Sequence, residues 1–149
     1  MSEIKSRDGR VLLCYEGQLH RVNLDDAELP GALLDGLNLE GCQLSGANLQ
    51  GASLAKADLY WAMMFGTDLT DANLEGASLR GANLVEAKLV RANLRQVKLD
   101  ASRGSVKLQG ADLTGARCDG ADFTGATYDA STRFPDDFDP KARGLRLVS

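Results

Sequence analysis

The sequence predicts an all-β solenoid, in which short extended segments and turns wind around one axis as a β-helix. Two observations carry this prediction. Leucine recurs at every fifth position along most of the 149 residues, and a small residue, usually alanine, lies two positions before each leucine. A period of five fits neither an α-helix, with 3.6 residues per turn, nor a flat strand, with its alternation of two.

The repeat comprises 21 pentapeptides, whose central residue is called i. The centres run in steps of five from Leu24 to Leu99 and again from Leu108 to Tyr128. Leucine occupies 17 of the 21 centres, alanine occupies position i−2 in 15, and glycine occupies position i+2 in 12. Glycine at this frequency opposes a helix, at roughly 1 kcal/mol each. In an extended segment, i and i−2 share one side and i−1 points to the other. We therefore expect a core of i and i−2, with turns at i+2.

Four such segments per coil would close a narrow square tube, with coils spaced by the ~4.8 Å of β-pairing. Residues twenty apart would then stack in ranks inside the tube. Two ranks are leucines and one is alanines: Leu34, Leu54, Leu74 and Leu94; Leu39, Leu59, Leu79 and Leu99; Ala32, Ala52, Ala72 and Ala92. Small residues are expected beside the corners, where so narrow a tube leaves little room.

The segments Ala47-Asn48-Leu49-Gln50-Gly51 and Ala82-Asn83-Leu84 resemble the A(D/N)LXX motif of the pentapeptide-repeat family. The resemblance covers residues 22–130, nearly three-quarters of the chain. It implies a right-handed quadrilateral β-helix, here of about five coils. The remaining residues, 1–21 and 131–149, are expected to form an N-terminal cap with a degenerate repeat and a C-terminal cap or tail.

Caps are expected because the open ends of a β-helix expose unpaired strand edges. Residues 4–15 are predicted to form a hairpin that turns at Asp8-Gly9, a common short hairpin signal. At the other end, Phe134 and Phe138 are expected to lie across the last coil. Residues 141–143 are predicted to form a helical turn that ends at Gly144.

The repeat is interrupted once, between Leu99 and Leu108, where the spacing is nine instead of ten. The segment 102–105 is therefore predicted to lack one residue of a full repeat. One interpretation is a tightened corner that the solenoid absorbs. The other is a kink that directs Arg103 towards a partner.

No constellation of catalytic or metal-binding residues is found. His20 is the only histidine and has no neighbouring cluster of cysteines or carboxylates. Cys42 and Cys118 occupy inward positions and are expected to pack as small apolar residues, whereas Cys14 is less constrained. There is no P-loop, GxGxxG, HExxH or CxxC motif. We therefore expect no catalytic, cofactor-binding or metal site, no small-molecule substrate, and a protein that is not an enzyme.

The place of action predicted from the sequence is the cytoplasm. The N-terminus lacks the apolar stretch of a secretory signal. No apolar run approaches the roughly 20 residues of a membrane helix. Three cysteines, an odd number, are most simply reduced thiols.

One group of large apolar residues is expected at the surface. Ala62 and Met64 occupy inward positions, so the residues around them point outward about one corner. We call this candidate interface the Trp61 patch, and it comprises Tyr60, Trp61, Met63, Phe65 and Val85. Exposed aromatic and methionine clusters are typical of interface hot spots. The alternative is packing within the chain, with Arg80 above Tyr60 and Asp100 above Arg80 in a cation–π and ion-pair ladder.

Charge is distributed in bands along the chain. Residues 22–76 hold nine carboxylates and one lysine, residues 80–107 hold seven basic residues and two carboxylates, and residues 108–139 hold seven aspartates and two arginines. The basic band falls on several faces, so it predicts a girdle and not a groove; ordinary solvation is the alternative. Such a band, flanked by acidic coils, attracts phosphate weakly and argues against nucleic-acid binding. The candidate girdle consists of Arg80, Lys88, Arg91, Arg95, Lys98, Arg103 and Lys107.

These features favour a non-catalytic binding or scaffold module that acts through its β-helix faces, either on another protein or on a second copy of itself. The family resemblance supplies an alternative, because some members mimic DNA and bind DNA gyrase or topoisomerase IV, which gives quinolone resistance. The net charge of −4 and the basic band depart from that pattern. The repeat array is also short, and no long apolar helix follows it.

Overall fold

The computed structural model describes residues 1–149, and the repeats form a four-sided β-helix. Residue i−1 of each pentapeptide makes a parallel β-bridge to the equivalent residue of the next coil, as Asn23 does to Gln43. Four pentapeptides complete one coil, so the bridges form four columns, which we number face 1 to face 4. Face 1 carries Asn23, Gln43, Met63, Asn83, Lys107 and Thr127; face 2 carries Glu28, Asn48, Asp68, Lys88, Asp112 and Arg133; face 3 carries Leu33, Ser53, Asn73, Asn93 and Arg117; face 4 carries Asn38, Asp58, Ser78, Lys98 and Asp122.

Backbone hydrogen bonds between coils follow one rule. The N–H of residue i donates to the carbonyl of residue i−1 in the next coil, as Leu24 donates to Gln43 at 2.7 Å, and Gln43 donates back to Val22 at 3.0 Å. Each side of the square has room for one bridge, so continuous strands are few. The strands are β1 (Ser2–Lys5), β2 (Val11–Tyr15), β3 (Thr127–Tyr128) and β4 (Arg146–Leu147), with one 3-10 helix at Ala101–Arg103.

The interior is one apolar cluster of 41 buried residues. The three predicted ranks lie in it with almost no exposed surface, which confirms the inward positions i and i−2. Two polar substitutes at i−2 also fit, because each donates a hydrogen bond to a carbonyl of the preceding coil. Thr67 Oγ1 donates to Leu44 at 2.7 Å, and Cys42 Sγ donates to Leu19 at 2.7 Å. Both polar groups are thus hydrogen-bonded, as expected for groups removed from water.

The corners lie at position i+2, where the backbone is left-handed whether or not the residue is glycine. Trp61 has φ 56° and Arg91 has φ 54°, although this conformation disfavours residues with a Cβ. A bulky corner residue usually leans over a glycine of the next coil. Arg21 Cγ, for example, lies 3.1 Å from where a Cβ at Gly41 would be. Along the four edges of the tube, every bulky corner residue except Asp71 is therefore followed by a glycine at the same corner of the next coil.

The interruption after Leu99 is an insertion of four residues, and the prediction of one missing residue was wrong. Bridges that cross it join Asn83 to Lys107, a step of 24 positions where other coils have 20. Leu108 therefore stacks on the coil of Leu84, whose N–H donates to the Lys107 carbonyl at 2.9 Å. The extra residues fold outward as the 3-10 helix. Counting spacing along the sequence could not distinguish one residue too few from four too many.

At the N-terminus, β1 and β2 form an antiparallel hairpin, and its turn lies at the predicted Asp8-Gly9. Gly9 has φ 84°, a conformation suited to this turn. Ser6 bridges to Ala32, which places the hairpin against the first coil of face 3. Face 1, on the opposite side of the tube, is left clear.

At the C-terminus, Phe134 and Phe138 stack at 4.9 Å between ring centroids. They contact the last core aromatics, Tyr128 and Phe123, edge to face. Arg143 lies over Phe138, 5.1 Å from the ring centroid, within a single hydrogen-bonded turn that closes at Gly144 and is too short for a helix. β4 then pairs in parallel with β3 and adds one more row to face 1.

Candidate protein-interaction face

The Trp61 patch lies across face 1, because Ala62 and Met64 are buried and force the intervening side chains outward. Trp61 is 51% exposed, and Met63 and Phe65 are each 45% exposed. Tyr60 and Val85 are half-buried beside them. Three of the seven large hydrophobic side chains that the protein exposes are thus grouped on one face.

Trp61 rests on glycines of the following coils. Its ring atoms Cδ2 and Cζ2 lie 3.0 and 2.9 Å from where a Cβ would be on Gly81 and Gly104, respectively. Tyr60 meets the indole edge to face, with ring centroids 5.8 Å apart. One side of the indole is therefore seated on its own chain, while about half of the residue stays exposed. The contact with Gly104 could not be predicted from the sequence, because Gly104 belongs to the insertion, whose register the spacing does not determine.

The alternative ladder beside the patch forms only in part. Arg80 Nε donates to Asp100 Oδ2 at 2.7 Å, as predicted. Arg80 makes no cation–π contact with Tyr60; the cation–π contacts of this protein are those of Arg143 with Phe123 and Phe138. Partial burial opposes ionisation of Asp100, but hydrogen bonds from Ser102 and Arg80 outweigh it and lower the pKa of this carboxyl. The ion pair thus fixes the edge of the patch without covering its rings.

Face 1 is bounded by two edges of different charge. The first edge, shared with face 4, comprises residues 20–21, 40–41, 60–61, 80–81 and 100–104, and it carries three arginines and two carboxylates. The second edge, shared with face 2, comprises residues 25–26, 45–46, 65–66, 85–86 and 109–110. It carries Asp25, Asp26 and Glu86 and no cation. The column between the edges has two charges, Lys107 and, in the row that β4 adds, Arg146.

The residues of the basic girdle surround the tube, and most of them are paired. Lys88, Lys98 and Lys107 lie in the columns of faces 2, 4 and 1, and the four arginines lie at corners. The four ion pairs are Arg80–Asp100 at 2.7 Å, Lys88–Asp68 at 4.0 Å, Arg91–Asp71 at 2.7 Å and Arg95–Asp119 at 3.2 Å. The three girdle residues without an ion pair are Lys98, Arg103 and Lys107, which lie on face 4, on face 1 or at the edge between these two faces.

Asp71 is the one bulky corner residue that is followed by another, Arg91, at the same corner of the next coil. Two bulky residues succeed each other there, and their side chains join through two hydrogen bonds of 2.8 and 2.7 Å. The hydrogen bonds from Arg91 lower the pKa of Asp71, and those same bonds raise the pKa of Arg91. The attraction between opposite charges thus allows two bulky residues at successive corners, an arrangement that steric crowding prevents elsewhere in the tube.

The histidine and the cysteines lie apart from one another. His20 is exposed, and no three His, Cys, Asp or Glu side chains lie close enough together to hold a metal ion. Burial raises the pKa of the Cys42 thiol, and burial raises that of Cys118 to about 11. The hollows of the surface are open ones at the two ends and beside Tyr60. None of the helices could cross a membrane.

The fold and face define a tandem-repeat β-solenoid. The sequence model for pentapeptide repeats matches in eight copies over residues 18–54, 32–71, 67–103 and 105–127. The chain therefore belongs to the pentapeptide-repeat family, as its motifs indicated, and it has the right-handed β-helix of that family.

Solved structures agree with this assignment. The pentapeptide repeat protein Rfr23 of the cyanobacterium Cyanothece 51142 is 35% identical, with a TM-score of 0.63 over 66% of this chain and 64% of that one. The chain thus spans a little under two thirds of the length of Rfr23. A pentapeptide repeat protein from the Arabidopsis thaliana thylakoid lumen is 25% identical, with a TM-score of 0.55 over 80% of this chain and 72% of that one.

The quinolone-resistance members are more distant. QnrB1, a plasmid-mediated fluoroquinolone resistance protein, is 15% identical, with a TM-score of 0.31 over 85% of this chain and 80% of that one. A likeness this low carries no argument about shared function. No curated protein matches the sequence.

Proposed function

We propose that this protein is a non-catalytic binding module that acts through face 1, in interaction with another protein or with a second copy of itself. One observation carries the proposal: Trp61, Met63 and Phe65 are all about half exposed and adjoin on one face. Clustered aromatic and methionine side chains at a surface are typical of interface hot spots. The core, filled by leucine and alanine, is the scaffold that holds them.

Face 1 is better suited to a protein partner than the other three faces. Its column is almost uncharged, whereas the columns of faces 2 and 4 carry several charges and the N-terminal hairpin lies against face 3. Charged residues are depleted at the centres of protein interfaces, and aromatic residues and methionine are enriched. The seat of Trp61 on Gly81 and Gly104 also limits the side-chain freedom that binding would remove.

Three finer features belong to the same proposal. The tube has about five coils, closed by the N-terminal hairpin and by the C-terminal aromatic segment as caps. The module acts in the cytoplasm, where its three free cysteines would stay reduced. DNA mimicry has weaker support, since cations interrupt the columns of all faces, as Lys88 does on face 2 and Lys98 on face 4.

Site-specific photo-crosslinking tests the proposal. The photoreactive residue p-benzoylphenylalanine replaces Met63 in one variant and Asn73, at the centre of face 3, in the matched control. After irradiation in an extract of the source cell, we expect protein adducts from position 63 and few from position 73. Excess wild type should suppress those adducts, and the Trp61→Ser/Phe65→Ser double variant should not. Equal adduct yields from both positions, or none from either, would contradict an interaction through face 1.

A further inference from the structure

Face 1 carries a pattern that identifies its occupant. We propose that the occupant is a second copy of this chain, bound face to face about a twofold axis parallel to the tube. This inference rests on the proposed function of face 1 and names its partner. It follows from the register of the repeat, which determines the residues that such an axis would bring together.

A twofold axis parallel to the tube exchanges the two edges of the face and keeps each coil at its height. Residues five apart occupy equivalent positions on successive corners. Residue n of the first edge would therefore meet residue n+5 of the second edge of the other copy. Each residue of the column between the edges would meet its own counterpart. Complementarity can thus be checked from the structure, position by position.

The corner residues of the two edges are complementary in charge and size. The pairs n and n+5 at position i+2 are Arg21 with Asp26, Gly41 with Gly46, Trp61 with Gly66, and Gly81 with Glu86. The members of each pair have the same left-handed backbone, so they project alike from their corners. Opposite charges or a large and a small residue face each other in three pairs, and two glycines meet in the fourth.

The neighbouring residues at position i+1 obey the same rule. The pairs are His20 with Asp25, Glu40 with Ser45, Tyr60 with Phe65, and Arg80 with Val85. None brings like charges together, and the aromatic pair adjoins Trp61. The first-edge arginines thus face a second edge that carries carboxylates and no cation. Like charges across an interface suppress wrong partners, so their absence at eight positions favours this arrangement.

The column of face 1 must meet a stricter requirement than the edges. Each of its residues would lie opposite the same residue of the other copy, so a charged residue there would face a like charge. Its residues are neutral apart from Lys107 and, in the row that β4 adds, Arg146. The column of face 2 would oppose five charges to their own copies, those of Glu28, Asp68, Lys88, Asp112 and Arg133. Face 4 would oppose three, and the hairpin obstructs face 3. Face 1 therefore suits a parallel twofold axis best, and Lys107 and Arg146 are its two unfavourable positions.

The available area is sufficient for reversible association. Six rows at ~4.8 Å give a height of about 29 Å, and a side with its side chains is roughly 20 Å wide. Two copies would bury about 1,200 Å² in total, the lower end of specific interfaces. We expect a reversible dimer with a Kd on the order of 10 µM.

A charge exchange tests this geometry on the purified full chain by sedimentation velocity. Arg21→Glu alone and Asp26→Arg alone should each raise the Kd at least tenfold, because each homodimer would contain two like-charged contacts. An equimolar mixture of the two variants should associate again, as heterodimers that native mass spectrometry identifies by mass. The same corner position holds arginine at residues 21 and 91 with φ 58° and 54°, so Asp26→Arg is compatible with the fold.

Two further variants complete the test. Lys107→Gln removes one of the two like-charged column contacts and should lower the Kd about threefold or more. Lys56→Glu reverses an exposed charge at a corner remote from face 1 and should leave the Kd unchanged. Melting temperatures within a few degrees of wild type would show that each variant is folded.

The outcomes separate this inference from the proposed function. A wild type that is monomeric at about 100 µM, or a mixture that fails to associate, would overturn the parallel dimer. If the photoreactive residue at position 63 then still captures another protein, binding through face 1 stands with a different partner. If neither self-association nor face-selective crosslinking is found, both proposals fail.

Discussion

Replacing Trp61 by alanine and by glycine separates the packing of its indole from the strain of its backbone. About half of the residue is buried, against Gly81 and Gly104. A packed tryptophan buries about 150–250 Å², so half corresponds to roughly 100 Å² and, at ~25 cal/mol/Å², to about 2.5 kcal/mol. Trp61→Ala loses this contribution and keeps the left-handed backbone of φ 56°.

Trp61→Gly loses the same packing but relieves the left-handed backbone. The left-handed conformation costs a residue with a Cβ about 1–2 kcal/mol, and glycine avoids this cost. Glycine also has more conformational freedom in the unfolded chain, which lowers the stability of the folded state by about 0.5–1 kcal/mol and offsets part of the gain. The glycine variant should therefore be more stable than the alanine variant by about 0.5–1 kcal/mol. At ~2–4 °C per kcal/mol for a chain of this size, Trp61→Ala should melt about 5–10 °C below wild type and Trp61→Gly about 1–4 °C above Trp61→Ala.

Urea denaturation and calorimetry at a few micromolar, where association contributes little, measure these differences. Lys56 is the matched control, because its corner has φ 58° and its side chain is exposed. Lys56→Ala should be close to wild type, and Lys56→Gly should exceed it by the same glycine–alanine difference. If the free energy of unfolding of Trp61→Ala lies within about 0.5 kcal/mol of wild type, the packing of the indole against Gly81 and Gly104 does not stabilise the fold as argued. A glycine variant less stable than the alanine variant at both positions would refute the left-handed corner.

Three further outcomes are expected. Leu74→Ala, at the centre of a buried rank, should lower the free energy of unfolding in urea by about 3–5 kcal/mol. Leu24→Ala should lower it clearly less, because Leu24 lies in the first coil and has neighbours on one side only. Equal losses would contradict the stacking of the ranks. Hydrogen bonds from Ser131 lower the pKa of Asp129 from 3.8 to about 2, so its charged form stabilises the fold above about pH 4. The stability gap between wild type and Asp129→Asn should therefore be constant above about pH 5 and close as the pH falls towards 2, and a gap that persists at pH 2 would contradict this. A maleimide should modify the exposed Cys14 about tenfold faster than the buried Cys42 and Cys118, or more. Arg143→Ala removes the 2.9 Å hydrogen bond from Arg143 to the Cys118 carbonyl, so it should speed the modification of Cys118 and leave that of Cys42 unchanged.

The sequence was sufficient to predict the repeat architecture because each pentapeptide repeats the same local information. Leu34, Leu54 and Leu74 could be assigned to one rank from a step of twenty alone, and all three are buried. The same regularity predicted that Val85 stacks next to Phe65. The hydrogen bonds between coils agree, because the N–H of Gly66 donates to the Val85 carbonyl and the N–H of Gly46 donates to the Phe65 carbonyl. Periodicity is a sum of many weak signals, so individual exceptions such as Thr67 do not obscure it.

What could not be predicted lies where the period stops. The spacing of nine after Leu99 is compatible with either one residue lost or four gained, and only the hydrogen bonds between coils decide between them. The contact of Gly104 with Trp61 depends on that register. The absence of a cation–π contact at Tyr60 depends on side-chain rotamers, because the ion pair draws the Arg80 guanidinium towards Asp100.

The division of labour within the pentapeptide explains why the fold is evident and the partner is not. Positions i and i−2 are committed to the core, so they are nearly the same in every coil and carry the family signature. Only i−1, i+1 and i+2 reach the surface, and on face 1 these include Met63, Phe65 and Trp61. Specificity in a β-helix must therefore come from variation at these three positions, compared across coils at intervals of twenty and across edges at intervals of five. By that comparison, face 1 combines a nearly neutral column with edges that complement each other, which is what a self-complementary interface requires.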